Sequence, residues 1–323
     1  MKIPGSIRNI YAEQRLLADL LKERVDALLA TRIQDRWHYE SRVKGEESFA
    51  LKVETGRVKD LTALEDFFAA TIVVPTNAEI ANLEALINTL FAPHQRRPAS
   101  DEFTSKAPPL FTFDDLRLYV RWIDDPTMPA SGCAGMVFEL QIKTFLQHAW
   151  SIATHDLIYK SDDANWSKMR IAFQIKAMLE HAEVSIQEAS RIAESDALRK
   201  TDARTAAIKQ FITMFTTLWD RDTLPSDIRR LAENAMVPAK MAALSVEELQ
   251  NLLLAEREQG RGPLTQNLSP YGIVVQTVLN HRSAQIQDAL SRDQRSALVV
   301  TRELEIPEGM TRTGWDRSTI QVG

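Results

Sequence analysis

The run Phe67 to Val74 (Phe-Phe-Ala-Ala-Thr-Ile-Val-Val) constrains the fold most, because only Thr71 interrupts an apolar stretch that starts after Asp66 and stops at Pro75. A short run rich in β-branched and aromatic residues reads as a central strand. Three other segments, Trp37 to Val43, Leu116 to Trp122 and Met136 to Ile142, also read as strands, with helical stretches between the first three. From about Ser6 to Ala30 the apolar residues Ile10, Leu16, Leu17, Leu20, Leu21, Val25, Leu28 and Leu29 recur at three and four, which predicts a long opening helix. Asn77 is placed to cap a helix carrying Ile80, Leu83, Leu86, Ile87 and Leu90, and Pro98 to Pro109 reads as a loop. Helices and strands alternate, so the expected class is α/β (mixed α+β), a mixed sheet with helical cover.

After Thr144 the pattern changes. Helical periodicity runs through Phe145 to Tyr159 and again from Trp166 to about Ile192, and the next strand-like stretch is Ala297 to Leu304. Pro225, Pro238, Pro263 and Pro270 cut the remainder into short helices around a loop at Gly260, Arg261 and Gly262. The expected division is residues 1–196 as the chemistry-bearing domain and 197–323 as an all-helical C-terminal region without a readable motif. Its amphipathic helices would pack on the first domain, form a homo-oligomer, or bind a partner such as a nucleic acid.

Bulk properties exclude several classes. A single cysteine, Cys133, rules out an internal disulfide framework and a cysteine-rich zinc module, and reads as an inert loop thiol. No apolar run is long enough for export or for spanning a membrane, so a cytoplasmic protein without a membrane partner is expected. The net charge of −5 argues against large-scale wrapping of nucleic acid and leaves room for a local basic cleft.

Three constellations carry chemistry. In Arg42-Val43-Lys44-Gly45 a strand sets Arg42 and Lys44 on one face, and Gly45 permits a turn into a helix with Ser48 and Lys52 one turn apart. Cations, a hydroxyl and a helix N-terminus at one point suit a polyphosphate, although a solvated basic face beside Glu46 and Glu47 has the same spacing. In Phe138-Glu139-Leu140-Gln141-Ile142-Lys143 the polar residues share one face, and a polar row in a covered strand lines a cleft or stays half exposed. Asp66 before the apolar strand, with Glu139 on a neighbouring strand, offers the hard oxygens Mg²⁺ takes; a loop or cap role is the plainer alternative. His148 and His155 are seven apart, which excludes a paired-histidine zinc site on that helix.

In order and spacing, Arg42-x-Lys44, Ser48, Lys52, Asp66, Glu139-Leu140-Gln141-Ile142-Lys143-Thr144, His155 and Tyr159-Lys160 resemble the synthetase domain of the RelA/SpoT family. The resemblance spans roughly Ser6 to Ser195. It implies a nucleotidyltransferase-like fold and transfer of the β,γ-pyrophosphate of ATP to the 3′-hydroxyl of GDP or GTP, the chemistry of ppGpp metabolism. By that resemblance Arg42, Lys44, Ser48 and Lys52 hold the ATP phosphates and base, Asp66 ligates Mg²⁺, and Glu139 assists the metal or activates the attacking hydroxyl. Gln141 and His148 fall where the family contacts the acceptor nucleotide.

The chain departs from the family at two places. Thr71 stands where an arginine usually follows Asp66 by five residues, and Thr112-Phe113-Asp114-Asp115-Leu116-Arg117 replaces a Gly-Tyr-Arg-Ser-x-His loop. Phe113 can stack on a base and Arg117 can supply the missing cation. The altered loop also fits a toxin-like relative acting on another 3′-hydroxyl, such as a tRNA end, and a non-catalytic nucleotide-binding protein remains a third reading.

Overall fold

The computed structural model describes residues 2–56, 61, 64–104, 116–124, 126–127, 129–158, 165–260, 267–292, 298–308, 310 and 319–322. The chain divides into two compact units, Met1–Leu198 and Arg199–Gly323.

The first unit is built in chain order from α1 (Gly5–Ala30), β1 (His38–Val43), α2 (Glu46–Glu54), β2 (Phe68–Val74), α3 (Ile80–Leu90), β3 (Ala92–Arg97), β4 (Leu116–Arg121), β5 (Val137–Thr144), α4 (Phe145–Ile158), α5 (Trp166–Gln187) and the short α6 (Ala189–Ala193). The strands form one mixed sheet in the order β1-β2-β5-β4-β3, in which only β2 and β5 run parallel. The apolar run expected to be central is β2, and β5 lies at the middle of the sheet.

Each strand sends alternate residues to opposite faces, and one face is the core. Phe68, Ala70 and Ile72 of β2, Phe138, Leu140 and Ile142 of β5, and Leu116, Leu118 and Val120 of β4 are all buried there, against Leu21, Val25 and Leu29 of α1 and Leu83 and Ile87 of α3. Helix α1 buries Ala18, Leu21, Val25 and Leu29 at three- and four-residue spacing, while Leu16 and Leu17 of the expected apolar set are exposed. Thr144 and Gln147 cap each other at the start of α4: the Thr144 amide donates to Gln147 Oε1 at 3.0 Å, and the Gln147 amide donates to Thr144 Oγ1 at 3.1 Å.

Two local expectations change. The strand β3 was not expected, because Ala-Pro-His-Gln-Arg-Arg has no apolar alternation; it is an edge strand, and edge positions accept proline and charge. Asn77 does not cap α3. It begins a short 3₁₀ turn, Asn77–Glu79, that precedes the helix, and its side chain instead hydrogen-bonds Glu183. Burial dominates at Glu183 and raises its pKa, with hydrogen bonds from Thr144 and Asn77 opposing.

The second unit comprises α7 (Ala203–Leu218), α8 (Ile228–Met241), α9 (Val246–Glu258), α10 (Pro270–Arg292), β6 (Leu298–Thr301) and β7 (Thr319–Val322). Its core joins Phe211, Met214 and Phe215 of α7 to Leu231 and Ala235 of α8, Leu249 and Leu253 of α9, and Val274, Val275 and Val278 of α10. A capping box of Ser245 and Glu248 starts α9. The unit is helical with one small addition to the all-helical expectation: β6, inside the strand-like stretch 297–304, pairs in parallel with β7. The apolar signal of β7 is too short to read without its partner. Among the described residues no helix is long and apolar enough to cross a membrane.

Replacing Leu140, fully buried at the centre of the sheet, with Ala is expected to cost about 2–5 kcal/mol, read as a shift in the urea midpoint of the first unit. Glu183→Gln should raise the melting temperature at pH 7. A carboxyl whose folded pKa is raised penalises the native state above that pKa and has no effect below the ordinary carboxyl range, so the gain must vanish in acid.

Candidate functional site

The end of β1 and the turn before β2 are locked together. The Lys44 amide donates to the Phe67 carbonyl at 2.8 Å, and the Tyr11 hydroxyl donates to the Lys44 carbonyl at 3.0 Å. Tyr11, Phe49 and Phe67 stack beneath, with ring centroids 5.5 to 5.7 Å apart. This fixes Lys44 and Asp66 side by side, and Lys52 reaches them from the last turn of α2. Lys44 Nζ lies 3.0 Å from Asp66 Oδ2, and Lys52 Nζ 2.7 Å from Asp66 Oδ1. Burial opposes ionisation of Asp66, but the Lys52 hydrogen bond and the Lys44 charge outweigh it and hold the carboxyl below its usual range.

Gly45 is not required for the turn into α2. Its φ of −70° and ψ of 153° suit any residue, and an added Cβ would meet nothing within 4 Å. Ser48 is exposed in the first turn of α2, one turn before Lys52.

The sheet face opposite the core is polar. In one row Arg42 pairs with Ala69, Ala69 with Glu139, and Glu139 with Tyr119; in the next, Glu40, Thr71, Gln141, Arg117 and Arg97 follow one another across five strands. Neighbouring strands lie about 4.8 Å apart, so the short Ala69 and Thr71 leave a trough between longer neighbours. A cleft of about 480 Å³ occupies it, walled by Glu40, Arg42, Thr71, Gln141, Lys143 and His148 among others.

Glu139 is 5% exposed and beside this cleft in register. Its Oε2 accepts from the Tyr119 hydroxyl at 2.8 Å, and its Oε1 from the Gln141 amide. The Arg97 guanidinium sits 4.6 Å from the Tyr119 ring centroid. Burial, then the Glu139 charge and hydrogen bond, push the Tyr119 phenol up to about 12, so it remains a donor at neutral pH. Tyr119 and Arg97 were missed by sequence reasoning; the alternation Arg117, Tyr119, Arg121 in β4 was the available signal, but its partner strand was not.

The structure thus gathers the predicted residues into two groups. Arg42, Gln141 and His148 wall the cleft, with Glu139 bonded to Gln141 and Arg117 paired with Gln141 in register. Lys44, Lys52 and Asp66 form the ion-paired group, close to Ser48 on α2. Phe113, Asp114, Asp115, Tyr159, Lys160 and the side chain of His155 lie outside the described residues.

The carboxylates of Asp66 and Glu139 have the hard-oxygen chemistry that Mg²⁺ takes. Both oxygens of Asp66 are held by lysine ammonium groups, which are also the groups that pair with phosphate. Exchange of those lysines from carboxylate to phosphate is therefore the condition under which the donor set fits the ion.

Residues 41–164 match the family model described as "Region found in RelA / SpoT proteins". Residues 41–164 therefore carry the region shared by RelA/SpoT proteins. Among solved structures it is similar to the small alarmone synthetase 1 from Bacillus subtilis bound to its product pppGpp, with 14% identity, coverage of 59% of this chain and 100% of that chain, and a TM-score of 0.44. It is also similar to a GTP pyrophosphokinase family protein from Streptococcus pneumoniae, with 18% identity, coverage of 59% and 92%, and a TM-score of 0.38. The complex between the Type VI effector Tas1 and its immunity protein matches at 13% identity over 72% of this chain and 94% of that chain, with a TM-score of 0.29. No match was found among curated proteins.

Asp66→Ala leaves two partly buried ammonium groups without their carboxylate and should cost about 1–3 kcal/mol at pH 7. Because the wild-type carboxyl has a depressed pKa, its contribution is present above about pH 4 and lost as pH falls below that. The gap between variant and wild type in urea unfolding should therefore close in acid.

Proposed function

We propose that the chain is a pyrophosphokinase, transferring the β,γ-pyrophosphate of ATP to the 3′-hydroxyl of GDP or GTP. The observation that carries this reading is a walled polar sheet face, with Arg42, Gln141 and the buried Glu139, beside two lysines converging on Asp66, all within the matched span.

In this reading the 3′-oxygen forms a bond to the β-phosphorus, the bond from that phosphorus to the α,β-bridging oxygen breaks, and AMP leaves. Glu139 takes the hydroxyl proton. Tyr119 and Gln141 hold its carboxylate in place, which restricts its rotamers and aims it at the cleft side of β5. Arg42 makes no ion pair among the described residues and is free to meet phosphate. Lys44 and Lys52 neutralise the triphosphate once drawn from Asp66, and Ser48 adds a hydroxyl at the start of α2. Transfer of this type depends on positioning and on neutralising charge, which is what this residue set offers. Mg²⁺, held by Asp66 and Glu139, supplies further charge neutralisation when bound. Gln141, His148 and Arg117 face the acceptor, and the resemblance gives Phe113 the role of stacking on a base. ATP as donor and a guanosine nucleotide as acceptor place the activity in the cytoplasm. Residues 1–196 form the pyrophosphokinase domain, and 197–323 a region of separate role.

Incubating the protein with γ-labelled ATP and GDP, GTP or tRNA tests this directly. Label is expected on GDP or GTP. Glu139→Gln, which still accepts the Tyr119 hydrogen bond, should lower the rate by about 10²–10⁴-fold with the fold intact. Label on tRNA alone would replace the acceptor, and no transfer to any acceptor would sink the enzyme reading.

A further inference from the structure

His38 and Glu40, two residues apart on β1, point to one face of the strand. His148 comes to the same place from the first turn of α4, a turn set by the reciprocal caps of Thr144 and Gln147. The three side chains bring one ligand atom each within 4.8 Å of one another, and the two imidazole rings lie 5.7 Å apart. Tetrahedral zinc ligands at bond lengths near 2.1 Å sit about 3.4 Å apart, a small contraction for the exposed His38 and Glu40 side chains.

Among the described residues no side-chain hydrogen bond or ion pair accounts for the cluster. His148 Nδ1 is buried with no hydrogen-bond partner, a cost that native structures seldom leave standing. The Lys143 ammonium, which acts on His148, lies 3.4 Å from the Ser151 hydroxyl.

We propose that His38, Glu40 and His148 bind a zinc-class divalent ion, with an open fourth position at the wall of the cleft. Two imidazoles and one carboxylate are the donor set of zinc sites that keep a position for a water or a ligand, and nitrogen donors select zinc, cobalt or nickel over magnesium. Glu40 and His148 both wall the cleft next to Gln141 and Lys143, so an anionic group held there supplies the fourth donor. These ligands are distinct from Asp66 and Glu139, and the assignment stands whether or not the cleft transfers a pyrophosphate.

The test uses the full chain, stripped with a chelator and free of nucleotide. Zinc is titrated in competition with a chromophoric chelator, and cobalt(II) is read by its visible absorption. One zinc per chain is expected, not displaced by excess Mg²⁺, with the intense cobalt bands of a four- or five-coordinate site. His38→Ala and Glu40→Ala should each weaken binding more than about 100-fold, because even outer-shell partners are worth about 10–100-fold. Both residues are exposed, so neither change threatens folding. His94→Ala, on the edge strand, should change nothing. Absence of stoichiometric zinc, affinity unmoved by His38→Ala and Glu40→Ala, or loss on His94→Ala alone would each overturn the assignment.

Discussion

The parallel pairing of β2 with β5 is the constraint on which the rest of the first unit depends. It sets Ala69 against Glu139 and Thr71 against Gln141, so that small residues stand where the neighbouring strands carry long polar ones. Because the pleat forces alternate residues to opposite sides, the same pairing buries Phe138, Leu140 and Ile142 completely on the other face. A slip of one residue would exchange core for cleft, so packing energy fixes the site as firmly as it fixes the core.

The polar face is held by local bonding. Tyr119 and Gln141 hold the Glu139 carboxylate, which burial alone would make costly, and Arg97 lies over the phenol that does so. At the strand ends Asp66 is balanced between two lysines, an arrangement in which one carboxylate neutralises the cations an anionic ligand would otherwise meet.

Much of the fold was legible. The opening helix, four of the five strands of the main sheet and the change to helices after Thr144 follow from periodicity, which is a property of the backbone within a few residues. The edge strand Ala92–Arg97 was not, since its burial comes from a neighbour and not from its own composition. Asn77 failed as a cap for a related reason: a buried acceptor elsewhere in the chain, Glu183, competes for its side chain. Of the candidate site, residue types were readable and groupings were not. Arg42, on β1, and Lys44, just past its end, stand in different surroundings, one at the cleft and one on Asp66.

By itself the sequence determined which side chains face together along each element, because alternation and helical pitch are local geometry. It also excluded a zinc site made by pairing His148 with His155, seven residues apart on one helix. Only the tertiary structure decided which elements meet, since strand order and helix docking are set by long-range packing. That packing brings His148 to His38 and Glu40, Tyr119 to Glu139, and two lysines to Asp66.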